Sequence, residues 1–209
     1  MSSIIKKDLK WLFKASTKQI LLIFLIIIAQ ALFFGKKLLP AYAMPIIVLI
    51  LMVTIIGSDL ETEFEKFLFS TPISKFEYAG SKFILTWIFA VFGVIFGIMI
   101  FLMNKFYALL EISHIIAAMF VLPILMLSIL IPLFYKFGIQ KARIIMFGTY
   151  ILLFGSLSFI SNMGNNDIFT EILIKYGQIK ISLFLIIITM LISLVSLFIT
   201  TKILKSKEY

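Results

Sequence analysis

Cysteine is absent from this chain of 209 residues, and histidine occurs only once. Without cysteine there is no disulfide framework, no thiol nucleophile and no thiolate metal site. The single histidine, His114, lies at the edge of an apolar run, where an interfacial position is favoured over a ligand role. The chain also has no HExxH, Walker A or GxSxG motif. The sequence therefore predicts neither a catalytic site nor a metal site.

Charged residues are scarce at 14% of the chain, whereas hydrophobic residues make up 62%. Uncharged apolar runs of about 17–25 residues are typical of helices that cross a lipid membrane. Six such runs predict an all-α, polytopic membrane protein with six transmembrane helices in a single domain, residues 1–209. The runs cover residues 19–35, 38–57, 83–103, 115–135, 144–160 and 181–201.

Ionisable residues are missing from the six runs, none of which contains Asp, Glu, Lys or Arg. Proton pumps and many ion-coupled transporters need ionisable groups at membrane depth. Their absence argues against a carrier with its own proton relay. A sodium site made of carbonyls and hydroxyls stays open as an alternative.

Basic residues give the chain a formal net charge of +9 at pH 7, but they flank the apolar runs instead of clustering on a soluble face. Nucleic acid is therefore not predicted as a partner. With the N-terminus inside, 14 of the 19 basic residues are cytoplasmic, so both termini are predicted to be cytoplasmic. Residues 1–18 are predicted to form a basic amphipathic helix in the membrane interface. Its apolar face comprises Ile5, Leu9, Leu12 and Phe13.

The segment between the second and third runs, residues 59–82, holds five of the ten acidic residues. Ser58 or Asp59 is expected to cap a short helix there, and Thr71-Pro72 is expected to end it. Four apolar residues at helical spacing predict one apolar face, with Glu61, Glu65 and Lys66 on other faces. They are Leu60, Phe64, Phe67 and Leu68.

A second helix is predicted to start after Ser74 and to continue into the third run. Ser74 and Glu77 have the spacing of a capping box, in which each satisfies the backbone amide of the other. The result would be a rigid elbow made of a short helix, a sharp break and a long helix. The alternative is an ordinary loop helix at the membrane surface.

Small and hydroxyl-bearing residues predict two helix contacts inside the membrane. Gly93 and Gly97 form a GxxxG motif in the third run, which allows close packing within the chain or across a dimer. In the sixth run, five hydroxyl residues share one narrow helical face. This face is expected to pack against another helix, with a role in lining a transport path as the alternative. Its members are Ser182, Thr189, Ser193, Ser196 and Thr200.

The segment that leads into the third run resembles the ABC transporter type-2 permease family, in particular its small six-span bacterial members. That family has an acidic residue, two aromatic residues, a Pro-Ile-Ser-basic turn and then Ser-Lys-aromatic at the third span. The matching residues are Asp59, Phe64, Phe67, Pro72-Ile73-Ser74-Lys75 and Ser81-Lys82-Phe83. In the family a second acid follows the first directly, whereas here Leu60 precedes Glu61.

The resemblance implies a permease that forms a dimer, either with itself or with a related permease, and that binds a separate cytosolic ABC ATPase. ATP and Mg would be held by the ATPase, and this chain would bind no cofactor and no metal and would catalyse no reaction. The short helix would be the coupling helix that contacts the ATPase. The implied contact residues are Asp59, Glu61, Phe64, Glu65, Phe67, Leu68, Pro72 and Ser74.

The cargo is expected to be amphipathic or apolar, because the spans are apolar and carry no fixed charge. Small permeases with this loop pattern are similar to exporters of bacteriocins and of phenol-soluble modulins, which are amphipathic helical peptides. The resemblance thus implies peptide export across the cell membrane of a Gram-positive bacterium. The alternative is a membrane scaffold or sensor subunit that recruits a cytosolic partner without transport.

Overall fold

The computed structural model describes residues 1–15, 39–103, 116–138 and 178–207, together with the single positions 140, 141, 144 and 148. Within these ranges the regular elements are all helices, which confirms the predicted all-α class. In chain order they are α1 Ser2–Ala15, α2 Leu39–Glu61, α3 Phe64–Phe69, α4 Lys75–Met103, α5 Ile116–Gly138 and α6 Gln178–Ser206.

Three of the described helices are long and apolar enough to cross a membrane. Their candidate spans are Lys75–Met99, Ile116–Gly138 and Ile179–Ser206, and they contain most or all of the predicted third, fourth and sixth spans. The second predicted span falls in α2, an apolar helix of 23 residues. The first and most of the fifth lie outside the described residues, so the count of six stays a prediction.

Helix α4 is the central element, since it packs against α1, α2 and α6. The core between these helices and α5 is formed by fully buried side chains that include Met52, Ile56, Phe83, Leu127 and Phe134. Lipid tails are as apolar as these side chains, so within a bilayer the packing must come from close fit and not from dehydration.

Helices α4 and α5 approach each other closely at Gly97, a member of the GxxxG pair. A Cβ added at Gly97 would lie 2.1 Å from the Cε of Met119 on α5. Gly93, one turn earlier, is also buried. Both glycines of the pair thus face the protein interior, and a side chain at Gly97 would require the end of Met119 to move.

The hydroxyl face of α6 is buried along its whole length, from Ser182 to Thr200. Most of its hydroxyls donate to carbonyls of α6 itself, as Thr189 does to Leu185 at 2.7 Å. Ser196 instead donates across to the carbonyl of Ser128 on α5. In the described part of the chain this face is therefore buried against protein, and its role in packing or in lining a path stays a prediction.

The N-terminal amphipathic helix is present as α1, but its buried side differs from the prediction. Ile4, Asp8 and Leu12 are buried at a spacing of four residues. Phe13, predicted on the apolar face, is 66% exposed. The buried stripe of α1 thus contains an acidic residue that the predicted apolar face does not include, and Phe13 lies outside this stripe. The location of α1 in a membrane interface stays a prediction.

Candidate functional site

We call residues 62–74, which connect α2 to α4 and contain α3, the elbow. Its first reversal occurs at Glu63, whose backbone is left-handed with φ 50°. For a residue with a Cβ this conformation costs about 1 kcal/mol. The backbone amide of Lys66 donates to the Glu63 carbonyl at 2.9 Å, and the Lys66 Nζ lies 2.8 Å from the Glu63 carboxylate. These contacts hold the reversal in place.

The start of the elbow corrects the predicted helix cap. Ser58, Asp59 and Leu60 lie in the last turn of α2, so neither Ser58 nor Asp59 caps α3. The Ser58 hydroxyl instead donates to the Ile55 carbonyl at 2.8 Å. The helix of the second span continues past its apolar part, through Gly57, and ends only at Glu61.

The break at Glu63 also turns α3, so its two sides differ from those that the spacing predicts. Glu65 and Leu68 are buried, whereas Phe67 is 69% exposed and Phe64 is half-buried. Burial on α3 therefore does not follow the predicted apolar face, because Glu65 is buried with Leu68 while Phe67 is exposed. The elbow presents one exposed aromatic ring, Phe67, on the outside of a helix whose inner side is buried.

The capping box at the end of the elbow is confirmed. The Ser74 amide donates to the Glu77 carboxylate at 3.1 Å, and the Glu77 amide donates to the Ser74 hydroxyl at 3.1 Å. Helix α4 then runs without interruption from Lys75 to Met103. Of the remaining predicted contact residues, Glu61, Pro72 and Ser74 itself are exposed. The short helix, the break and the long helix are thus arranged as the sequence predicts.

Behind the elbow lies an ion cluster made of Lys7, Asp8, Asp59 and Lys82, in which Lys7 is half-buried and the other three are buried. The Lys82 Nζ lies 2.6 Å from Asp8 and 2.5 Å from Asp59, and the lysine is fully buried. The Lys7 Nζ lies 2.9 Å from the other Asp8 oxygen and also contacts Asp59. Two ammonium groups thus face two carboxylates. The cluster is neutral as a whole, which is what makes its burial tolerable.

Two tyrosines extend the cluster to α5. The Tyr78 hydroxyl donates to Asp59 at 3.1 Å, and the Tyr135 hydroxyl donates to the Tyr78 oxygen at 3.2 Å. The Tyr78 ring also meets Phe69 of α3 edge to face, with 5.6 Å between centroids. The ion cluster and its tyrosines therefore join α1, α2, α4 and α5 at one end of the molecule, directly beneath α3.

The last helix reaches the same end. The Lys207 Nζ, just after α6, lies 3.8 Å from Glu65 in α3. The Lys75 Nζ at the start of α4 donates to the Lys207 carbonyl at 3.2 Å. The elbow is therefore in contact with every long helix that the structure describes, either directly or through the ion cluster.

Sequence reasoning assigned Asp59 to a surface contact, but only 2% of it is exposed, and it faces Lys7, Lys82 and Tyr78. It also missed Asp8. A signal for Asp8 exists, since it lies four residues from both Ile4 and Leu12 and is the only acid of α1. No comparable local signal separates Lys82 from the other flanking lysines.

The candidate site holds no obvious place for a metal. Within the described ranges, no group of three or more His, Cys, Asp or Glu side chains has a metal-binding arrangement. The buried carboxylates are already paired with lysines. The site is suited to holding helices in fixed relative positions and to presenting Phe67, and not to acid–base or nucleophilic chemistry.

A comparison with protein families identifies the kind of protein that carries this elbow. A family model described as an ABC-2 family transporter protein matches residues 3–205. The chain belongs to the ABC-2 transporter family. No curated protein and no solved structure matches it. As an ABC-2 permease it is a membrane transport component, and the family implies an ABC ATPase subunit as its partner.

Proposed function

We propose that this ABC-2 permease exports amphipathic or apolar peptides, and that the exposed side of its elbow is the contact with the ATPase. The observation that carries the second part is Phe67, an exposed aromatic ring on a short helix whose other side is buried. Buried anchors at protein interfaces are enriched in aromatic residues, and a single ring can dominate the affinity. We keep Glu61, Pro72 and Ser74 as surrounding contacts.

Asp59 has a different role in this proposal from the one the sequence suggested. Together with Glu65 and Leu68 it lies on the inner side, so these residues support the contact surface and do not form it. Removing one partner from a buried ion pair typically costs 3–5 kcal/mol. A push on α3 by the ATPase would therefore move α1, α2, α4 and α5 together instead of bending the elbow.

The nucleotide chemistry belongs to the partner in this proposal, with ATP and Mg held by the ATPase. The permease would act as a dimer, with itself or with a related permease, in the cell membrane of a Gram-positive bacterium. The elbow end would be cytoplasmic, together with both termini. The peptide cargo is supported by the absence of Asp and Glu from residues 83–103, 116–135 and 181–201, and bacteriocin-like or modulin-like peptides fit that description.

The test is a pull-down of the tagged full chain in gentle detergent, with mass spectrometry of the co-purified proteins. We expect a stoichiometric ATPase that carries a Walker A motif. The variant Phe67→Ala should weaken its affinity by about 2 kcal/mol, roughly thirty-fold in Kd. The matched control is Phe184→Ala, because Phe184 is 63% exposed but lies at the other end of α6.

Two results would contradict the proposal. Unchanged ATPase binding in Phe67→Ala would remove Phe67 from the contact. Recovery of the intact chain without any ATPase would favour a scaffold or sensor subunit instead. The cargo is tested separately in proteoliposomes, where ATP turnover should rise when an amphipathic helical peptide is added. An unchanged rate of ATP turnover after addition of the peptide would contradict the proposed cargo.

A further inference from the structure

A groove of about 580 Å³ lies between α5 and α6, away from the ion cluster. Its volume falls within the range of about 300–1,000 Å³ that is usual for ligand sites. Apolar side chains such as Ile129 and Leu133 of α5, and Val195 and Ile199 of α6, form its walls. The feature that needs an explanation is the one charged residue in its lining, Lys136.

The other polar groups in the groove are already satisfied. The Ser196 hydroxyl donates to the Ser128 carbonyl, and the Ser128 hydroxyl donates to the Ile124 carbonyl at 2.7 Å. Lys136 is exposed, and no carboxylate in residues 1–15, 39–103, 116–138 or 178–207 forms an ion pair with it. A ligand of this groove would therefore meet a long apolar surface and one cation.

The position of that cation follows from the neighbouring residue. The Tyr135 hydroxyl donates a hydrogen bond to Tyr78 at the elbow end of the molecule. Its neighbour Lys136 therefore lies at the elbow end of the groove. On α6 the lining extends from Leu191 to Ile203, which is about 18 Å of helix at 1.5 Å per residue. The hydrocarbon of one leaflet is about 15 Å thick, half of the bilayer core. The groove thus matches one leaflet in length, with its cation at one end.

We propose that this groove binds one acidic phospholipid, with an acyl chain along the apolar walls and the phosphate headgroup at Lys136. Basic pockets between transmembrane helices are known to select anionic headgroups. A transmembrane helix of a partner would instead bring apolar side chains against the lysine. That the lipid belongs to the cytoplasmic leaflet rests on the proposed function, whereas the binding itself does not.

The test uses the purified full chain in a neutral detergent, without any ATPase. Phosphatidylglycerol and phosphatidylcholine with the same acyl chains are titrated, and bound lipid is counted by native mass spectrometry. We expect one tightly held phosphatidylglycerol, bound about five-fold more tightly than phosphatidylcholine, since a lysine contributes about 1 kcal/mol to such contacts. Lys136→Gln should abolish the preference. Lys202→Gln, which removes an exposed lysine of α6 outside the lining, should preserve it.

A second pair of variants tests the apolar walls. Val195→Trp should fill the groove and remove both lipids, whereas Leu194→Trp, on the same helix but outside the lining, should not. Equal binding of the two lipids, an unchanged preference in Lys136→Gln, or equal losses in Lys136→Gln and Lys202→Gln would overturn the proposal. A dimer mass that Val195→Trp abolishes, without bound lipid in the wild type, would identify a second copy as the occupant. None of these results depends on the ATPase contact.

Discussion

The two ends of the described helices are held together in different ways. At the elbow end, four charged side chains and two tyrosines form a buried network that connects four helices. In the spans, packing relies on glycines and on hydroxyls that mostly donate to carbonyls of their own helix. A Cβ added at one of these glycines, Gly97, would overlap Met119. A charged network tolerates few geometries, whereas small-residue faces can slide. The contrast suggests a stiff base beneath a more adjustable membrane part.

The largest expected effect comes from breaking the stiff base. Lys82→Met leaves Asp8 and Asp59 with Lys7 as the remaining cation of the cluster. We expect the free energy of unfolding to fall by about 3–5 kcal/mol, because an uncompensated charge stays buried. The measurement is reversible unfolding in detergent. The matched control, Lys202→Met at an exposed position of α6, should have little effect.

A double-mutant cycle sharpens this prediction. Adding Asp8→Leu to Lys82→Met removes one cation and one carboxylate, so Lys7 and Asp59 remain as a balanced pair. The double variant should lose clearly less free energy of unfolding than the two single variants lose in sum, because the two side chains are in direct contact. Strict additivity would contradict the assignment of one coupled cluster.

The second prediction breaks the packing in the spans. Gly97→Leu should cost about 1–3 kcal/mol, because the added side chain has no room against Met119. Gly97→Ala should cost less, since the flexible end of Met119 can move. Gly57→Ala is the control, because an added Cβ there meets nothing within 4 Å. Thermal unfolding that responds equally at Gly57 and Gly97 would contradict the close approach of α4 and α5.

A third prediction concerns the join between the elbow and α4. Ser74→Ala removes the N-cap hydroxyl and should cost about 1 kcal/mol, and Ser74→Asp should restore most of it. Hydrogen exchange of the first turn of α4 is the direct measurement, since fraying there raises exchange locally. Faster exchange in the middle of α4 instead would argue against a cap that acts only at the helix end.

The smallest effect is expected from the hydrogen bond that Ser196 of α6 donates to the Ser128 carbonyl of α5. Ser196→Ala should cost about 0.6 kcal/mol, the average for a hydrogen bond between membrane helices. Thr189→Ala, whose bond stays within α6, is its control and should cost less. A loss at Ser196 as large as that of Lys82→Met would remove the distinction between the two ends of the molecule.

Local features of the sequence were sufficient for much of the fold. Uncharged apolar runs predict helices by composition alone, and α4, α5 and α6 follow them. The capping box of Ser74 and Glu77 is read from adjacent residues and is confirmed by its two hydrogen bonds. Both kinds of signal depend on contacts between residues that are close in the chain.

The features that sequence could not predict depend on distant contacts or on an unusual backbone. Lys82 and Asp8 are 74 positions apart, so no periodic pattern pairs them. The family resemblance implies Asp59 as an ATPase contact, and only its partners on α1 and α4 show that it lies inside the protein. The left-handed Glu63 has no sequence signal, since glycine usually occupies such positions. Directly after that residue, α3 buries Glu65 and exposes Phe67.

The pairing of Lys82 with Asp8 and Asp59 has a consequence for biosynthesis. Both carboxylates precede Lys82 in the chain, so the ribosome has already made its partners when the lysine appears. Until then Asp8 and Asp59 can remain in water, where a carboxylate needs no partner. Lys82 follows at the start of the third span, with both carboxylates that it contacts already made, and Tyr135 of α5 is the last member of the network in chain order. The order of synthesis thus spares the nascent protein a stage with a buried, unpaired lysine.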